Sequence, residues 1–353
     1  MKILIIKNKR IGDVLVASIV ANNLKKIYPD SHITFLCYDY AAPVLLHNPN
    51  IDRVWQINDQ ELKQGLNLFK LAKELRAEKF DLIIDLYTKL QSQIISALSS
   101  SKKRIGFDKR VIPFAYTHKI PILKSRISDY GKAIDDRLNV LRFLNSNVPL
   151  DPHPKLYISQ NEQTTIKSLL KDKGFVVGKP SVMIGVLGSD PTKSLPLAYV
   201  AELIDYISTH YDVQILLNYI PAQRPLVDKL LALVKDKSQV LPEIMGKNIR
   251  EYILIMNNVN VLIANEGGAV HIAKALDKPT FTLYSPYVNK EHWATFENDH
   301  KNESLHLKEL KPELFSDISS KEIKKQTSEL YNHFKPEKII PRLASFLDKN
   351  LTS

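Results

Sequence analysis

Short apolar runs alternate with helical stretches along this 353-residue chain, and the alternation happens twice. No other feature restricts the fold as strongly, because strands separated by helices pair in parallel and need helices on both faces. In the first half "KILIIK", "HITFLCY", "DRVWQI", "FDLIIDLY" and "KRIGF" read as strands. Between them, residues 12–28 and 62–77, then "SQIISALSS", carry apolar positions at helical spacing. A further helix is expected over residues 133–144.

The stretch "NSNVPLDPHPKLYISQ" then breaks the pattern with three prolines and little periodicity. It marks a boundary between a domain of residues 1–155 and a second of residues 156–353. The alternation restarts with "SVMIGVLGS", "DVQILLNY", "NVNVLIA" and "PTFTLYS" as strands. Helices are expected at 199–209, 226–234, 249–256 and "GAVHIAKAL". The tail from Lys321 to Lys349 reads as helical, with Ile339, Leu343, Phe346 and Leu347 as its apolar stripe. Two doubly wound α/β domains are the expected architecture, and in such sheets ligands bind beyond the carboxyl ends of the strands.

Composition narrows the partners. Residues 1–150 hold 24 Lys/Arg against 14 Asp/Glu, and the remainder 25 against 24, so nearly all of the +11 net charge lies in the first half. That asymmetry implies either a solvated basic face or an anionic partner for the first domain. Nucleic acid is not expected, since no aromatic residues interleave with the basic ones in the manner of a strand-binding surface. The single cysteine, Cys37, precludes an internal disulfide and a cysteine-cluster metal site, which points to a reducing cytoplasm. No apolar run approaches the roughly 20 residues needed to span a bilayer. The opening "MKILIIKNKR" reads as a first strand and not as a signal peptide.

Three loops stand at expected strand ends. In "KNKRIGDVLV", Gly12 and Asp13 open the first helix, and Asp13 suits either a helix cap or a base. One glycine is too few for a dinucleotide fingerprint. In "GVLGSDPTKSLPLAYV", the small residues Gly188, Ser189 and Thr192 precede Lys193, which fits a diphosphate or an ordinary surface turn. In "NEGGAVHIAKAL", Glu266, Gly267 and Gly268 lead into a helix carrying His271 in its first turn. Here a cap and a core histidine compete with a phosphate or sugar site. No Asp-x-Asp cluster suggests a metal-bridged diphosphate, so no metal ligand is expected.

Taken in order, "KILIIKNKRIGDVLVASIVANNLKKIYPDSHITFL", "GSDPTKSLPLAYVAELI" and "IANEGGAVHIAKALDKPTFTLYSP" resemble the glycosyltransferase family 9 heptosyltransferases of lipopolysaccharide core assembly. Secondary matches are "HNPNIDRVW" and "KRIGF". The resemblance implies a GT-B fold, two Rossmann-like domains facing a central cleft, with the last helix, about 336–349, crossing back to the first domain. It implies an ADP-L-glycero-β-D-manno-heptose donor as co-substrate, held mainly by the second domain, and no separate cofactor. The acceptor would be a Kdo or heptose sugar of an anionic lipopolysaccharide precursor (Kdo-lipid A), held by the first domain at the inner leaflet.

Carried onto this chain, the resemblance makes Asp13 the general base and Lys193 the catalytic contact to the donor phosphates. Ser189, Thr192, Glu266, Gly267, Gly268 and His271 would complete the donor site. Arg10, Lys102, Lys103, Arg104 and Arg137 are the candidates for the anionic acceptor, "SKKRIGFDKR" being the densest basic run. The chain departs from the family at Glu266, where aspartate is usual, and at Gly267, where a hydroxyl side chain is usual. Another nucleotide sugar, a nucleotide-sugar epimerase of the same architecture and a non-catalytic family member are the alternatives.

Overall fold

The computed structural model describes residues 1–63, 65–109, 112–144, 147–188, 191–297 and 301–351. It divides into two compact units, Met1–Tyr157 and Ile158–Ser353.

The first unit is built on a parallel sheet of β1 (Lys2–Ile6), β2 (His32–Tyr38), β3 (Arg53–Ile57), β4 (Leu82–Asp85), β5 (Lys103–Phe107) and β6 (His118–Ile120). The strand order is β3-β2-β1-β4-β5-β6. Its central strands are apolar without alternation, as sheets covered on both faces require. The helices are α1 (Ile11–Ile27), α2 (Gly65–Ala77), α3 (Leu90–Leu98) and α4 (Lys132–Arg142). α1 is buried from Gly12 to Leu24, so even its polar positions need partners inside. Asn22 Oδ1 accepts from Asn48 Nδ2 at 3.0 Å, and Asn23 Nδ2 donates to Asp151 O at 2.8 Å. The "HNPNIDRVW" match is therefore structural: it ties the β2–β3 connection to α1, and Asp52 accepts from the Ile33 amide at 2.6 Å.

The second unit repeats the plan. Its helices are α5 (Gln160–Asp172), α6 (Leu197–His210), α7 (Arg224–Leu233), α8 (Ile249–Asn257) and α9 (Gly268–Ala275). Its strands are β7 (Ser181–Gly185), β8 (Gln214–Asn218), β9 (Val240–Leu241), β10 (Val261–Asn265), β11 (Thr280–Tyr284) and β12 (Asn302–His306). The order β12-β11-β10-β7-β8-β9 is the first sheet's order read from the other edge. Both sheets thus have the nucleotide-binding strand order, with a topological switch point at β1/β4 and at β7/β10.

The tail is not one helix. It is broken into Ser320–Lys325, Thr327–Tyr331 and Pro336–Leu351, with Pro336 starting the last segment. In that segment Ile339, Leu343, Phe346 and Leu347 are fully buried in the second unit's own core, where Phe346 meets Phe281 at 5.6 Å between ring centroids. The Tyr211 hydroxyl donates to Asp348 Oδ1 at 2.8 Å and ties the same helix to α6.

Candidate functional site

At the first switch point β1 ends beside β4, with Ile6 opposite Asp85. Arg10 is the residue before α1 and its side chain makes no capping bond; Asp13 lies in the first turn. Its side chain is 9 % exposed and its carboxylate faces cations. Lys9 Nζ lies 3.0 Å from Oδ1, Lys7 Nζ 3.7 Å and an Arg137 Nη2 3.7 Å. Burial alone would raise the carboxyl's pKa; Lys7, Lys9 and Arg137 outweigh it and hold Asp13 below the usual carboxylate range. All three closest approaches are to Oδ1.

α4 delivers Arg137 through its "DDR" run. Asp135 accepts from the Ile127 amide at 2.8 Å and the Ser128 hydroxyl at 2.6 Å. Asp136 accepts from the Leu123 amide at 3.1 Å and Lys132 Nζ at 2.8 Å. With both carboxylates holding the neighbouring loop, Arg137 is left pointing to Asp13 and to Ala133 O at 2.7 Å.

A second buried carboxylate closes the same edge. Asp85 is fully buried and accepts from the amides of Tyr87 and Thr88 and from the Tyr116 hydroxyl at 2.5 Å. Full burial raises its pKa despite those bonds. Gly106 makes room for the contact: a Cβ there would stand 2.4 Å from the Tyr116 ring. This is the physical content of the "KRIGF" match.

The acceptor-side candidates separate. Arg137 joins Asp13, and Arg10 adjoins it in sequence. Lys102 and Lys103 do not join it: β5 starts there, with Lys103 level with Leu82, at the opposite edge of the sheet from Asp13. Arg104 spends its guanidinium on the carbonyls of Ser101, Phe114 and Ala115. Sequence density of charge does not report which end of a strand a residue occupies. Arg110, in the same run, lies outside the described residues. The cations beside Asp13 that charge density did not single out are Lys7 and Lys9; Lys109, from the dense run, feels Lys9, Asp85 and Asp136. Partial burial, then repulsion from Lys89 and Lys9, lowers the pKa of Lys109.

At the second switch point the loop after β7 and the loop after β10 meet. Gly188 admits the Lys193 carbonyl, which would lie 2.2 Å from a Cβ at that position. Asn265 Oδ1 accepts from the Leu195 amide at 3.1 Å, and the Ser285 hydroxyl donates to Thr192 O at 2.6 Å. These bonds fix the turn. Lys193 Nζ forms an ion pair with Glu266 Oε1, so Glu266 does not cap α9. The residue before α9 is Gly267, at φ 156° and ψ −166°, a conformation open essentially to glycine alone. A Cβ there would meet nothing within 4 Å, so the amides opening α9 are not walled off on that side. His271 is half-buried, edge-on to Trp293 at 5.8 Å. Ser189 lies outside the described residues.

Lys193 Nζ also lies 5.9 Å from the Tyr287 ring centroid, and Lys324 Nζ 5.5 Å from it. Tyr287 lines a cavity of about 650 Å³ with Lys308, Phe315 and Ile323 among its walls. An aromatic ring with two cations beside it and open amides nearby can receive a ring-bearing anion.

The family described as glycosyltransferase family 9 (heptosyltransferase) matches residues 68–317. Lipopolysaccharide heptosyltransferase 1 of Campylobacter coli is 25 % identical over 296 residues, covering 80 % of this chain and 84 % of that protein. The crystal structure of a family 9 glycosyl transferase from Veillonella parvula DSM 2008 superposes with a TM-score of 0.79 at 19 % identity, over 99 % of this chain and 97 % of that one. The E. coli ADP-heptose lps heptosyltransferase II superposes with a TM-score of 0.69 at 18 % identity, covering 94 % and 98 %.

Proposed function

The chain belongs to glycosyltransferase family 9, and from that premise we propose that it transfers a heptose from ADP-L-glycero-β-D-manno-heptose to a Kdo or heptose acceptor of the lipopolysaccharide inner core. The main support is positional: Asp13 and the Lys193–Glu266 pair stand at the switch points of the two sheets, where α/β folds bind ligands. The name of the similar E. coli protein, an ADP-heptose enzyme, supports the choice of donor.

In this reading the second unit holds the donor. The Lys193 ammonium, the amides opening α9 and His271 meet the diphosphate, and Glu266 and Thr192 line the same pocket. As the anomeric carbon–oxygen bond breaks, negative charge grows on the departing ADP. Fixed donors stabilise that charge most where it develops, without a metal cofactor. The first unit holds the acceptor. Asp13 takes the proton of the attacking hydroxyl through Oδ2, the oxygen away from the closest cation contacts. Attack opposite the leaving group inverts the anomeric centre. Arg137, Lys9 and Arg10 meet the carboxylate or phosphate of the acceptor.

The acceptor's lipid asks for a peripheral position on the inner leaflet. No helix among the described residues is long and apolar enough to cross a membrane. Leu66 and Phe69, exposed on α2, and the basic charge of the first half suit surface contact with anionic lipid.

A nucleotide screen by thermal unfolding tests the donor. ADP and ADP-heptose should stabilise the protein, by about 2.7 kcal/mol at 100 times the Kd, while UDP- and GDP-sugars should not. Stabilisation by a uridine or guanosine nucleotide alone would reassign the donor.

A further inference from the structure

The cations that order Asp13 also weaken it as a base. A general base works best with a pKa near the working pH, and Asp13 is held below the ordinary carboxylate range. A proton it takes up needs a better resting place within reach. Arg137 offers none, since a guanidinium stays charged. Lys9 keeps 42 % of its side chain in solvent, so burial does not press its ammonium to give up a proton as it does that of Lys7.

Lys7 is different. Its side chain is 7 % exposed, with Nζ donating to Leu86 O at 2.8 Å and lying 3.7 Å from Asp13 Oδ1. Four groups face it: Arg137 from α4, Asp13 in the first turn of α1, Lys9 from the turn before it, and Asp85 at the end of β4. Two buried cations, Lys7 and Arg137, converge on the one Asp13 carboxylate, each 3.7 Å from Oδ1, while Asp85 spends its oxygens on the Tyr87 and Thr88 amides and the Tyr116 hydroxyl. Burying a second positive charge there is costly, and an amine can shed its proton where a guanidinium cannot. Desolvation and then Arg137 accordingly bring Lys7 down to about 7.

We propose that the Lys7 amine is the final proton acceptor of the transfer, receiving through Asp13 the proton of the attacking hydroxyl. This rests on Asp13 being the base. The acceptor O–H bond breaks, and its oxygen forms the bond to the anomeric carbon. The anomeric bond to the diphosphate breaks, and that electron pair leaves with ADP. The proton passes to the Asp13 carboxylate and on to the lone pair of Lys7 Nζ. Asp13 is restored as the anion, and Lys7 ends as the ammonium. About half an ångström of movement by the lysine stem brings the two groups to hydrogen-bond distance. The proton returns through Asp13 to water when the products leave.

The test measures kcat from about pH 5.5 to 9 with ADP-L-glycero-β-D-manno-heptose and deacylated Kdo-lipid A, in the wild type, Lys7→Arg and Asp13→Asn. Wild-type kcat should rise with pH around a midpoint of about 7. Lys7→Arg stays charged, so it should lose that rise and run about 100-fold slower above it. A Lys7→Arg enzyme that keeps the rise overturns the relay. Turnover surviving in Asp13→Asn removes the base instead, so the two failures are distinct. A second readout needs no acceptor. In protein carrying ε-13C lysine, one resonance should titrate near neutrality and be missing from Lys7→Gln, which keeps a donor for Leu86 O. If no lysine titrates below about pH 9, the proposal is wrong.

Discussion

Lys193 and Glu266 form an ion pair that joins the loop after β7 to the loop after β10, with side chains 20 % and 9 % exposed. A diphosphate reaching Lys193 has to compete with that carboxylate. Glu266→Gln removes the competitor while keeping the side chain's shape. ADP should then bind about fivefold more tightly, corresponding to roughly 1 kcal/mol for a partly solvated pair. Calorimetric titration with ADP measures this directly, and equal or weaker binding would show that the carboxylate does not compete for Lys193.

Lys193→Ala separates stability from catalysis. Loss of one fixed donor to a developing anion commonly costs on the order of 100-fold in kcat. The ion pair adds a second effect: Glu266, nearly buried, loses its partner, and the ligand-free protein should lose about 1–3 kcal/mol in urea unfolding. Adding Glu266→Gln should return most of the stability but none of the turnover. Turnover in the wild type should also survive exhaustive chelation, and loss of activity restored by a divalent cation would contradict the role given to Lys193.

Gly106→Ala tests the buried edge of the first sheet. The new methyl would stand 2.4–2.6 Å from three atoms of the Tyr116 ring, which is held by Asp85 beneath it. The ring has to move, at about 1–3 kcal/mol for overpacking. The variant should unfold at lower urea, and Tyr116→Phe should remove most of the cost of Gly106→Ala only if the hydroxyl bond is what fixes the ring.

Lys7 makes stability depend on pH with a definite sign. Its folded pKa, about 7, lies below the ordinary 10.5, so between these values the unfolded chain binds the extra proton. Stability therefore rises with pH across that window; the penalty is complete below about 7 and gone by 10.5. Lys7→Met should stabilise the protein by on the order of 2–4 kcal/mol near pH 6, and by much less near pH 9.5, in urea unfolding. A gain that does not fall between pH 6 and 9.5 would mean that the folded pKa of Lys7 is not lowered.

The central strands and the helices between them were legible because strands covered on both faces must be apolar throughout. The edges were not. β6, β9 and β12 are short or polar: Asn302 pairs with Thr280, and Ser304 with Glu297. α5 was hidden behind the prolines before it, although its capping box, Ser159 with Glu162, stands in the sequence. At the candidate site, the motif residues Asp13, Lys193 and Glu266 could be read. Lys7 could not, because a lysine at a strand end looks like an ordinary flank until the strand, α1 and α4 converge on it. Lys102 and Lys103 stand apart from Asp13 for the converse reason, since charge density does not show that they start β5 and lie at its other end.

The most direct test of the account is one incubation of the purified protein with ADP-L-glycero-β-D-manno-heptose and Kdo-lipid A, followed by mass spectrometry and anomeric NMR of the product. The account predicts one heptose added per ADP released, in an α linkage inverted from the donor, with no product from UDP- or GDP-sugars and none from Asp13→Asn. An altered sugar released without acceptor, or ADP release that leaves Kdo and heptose acceptors unmodified, would contradict it.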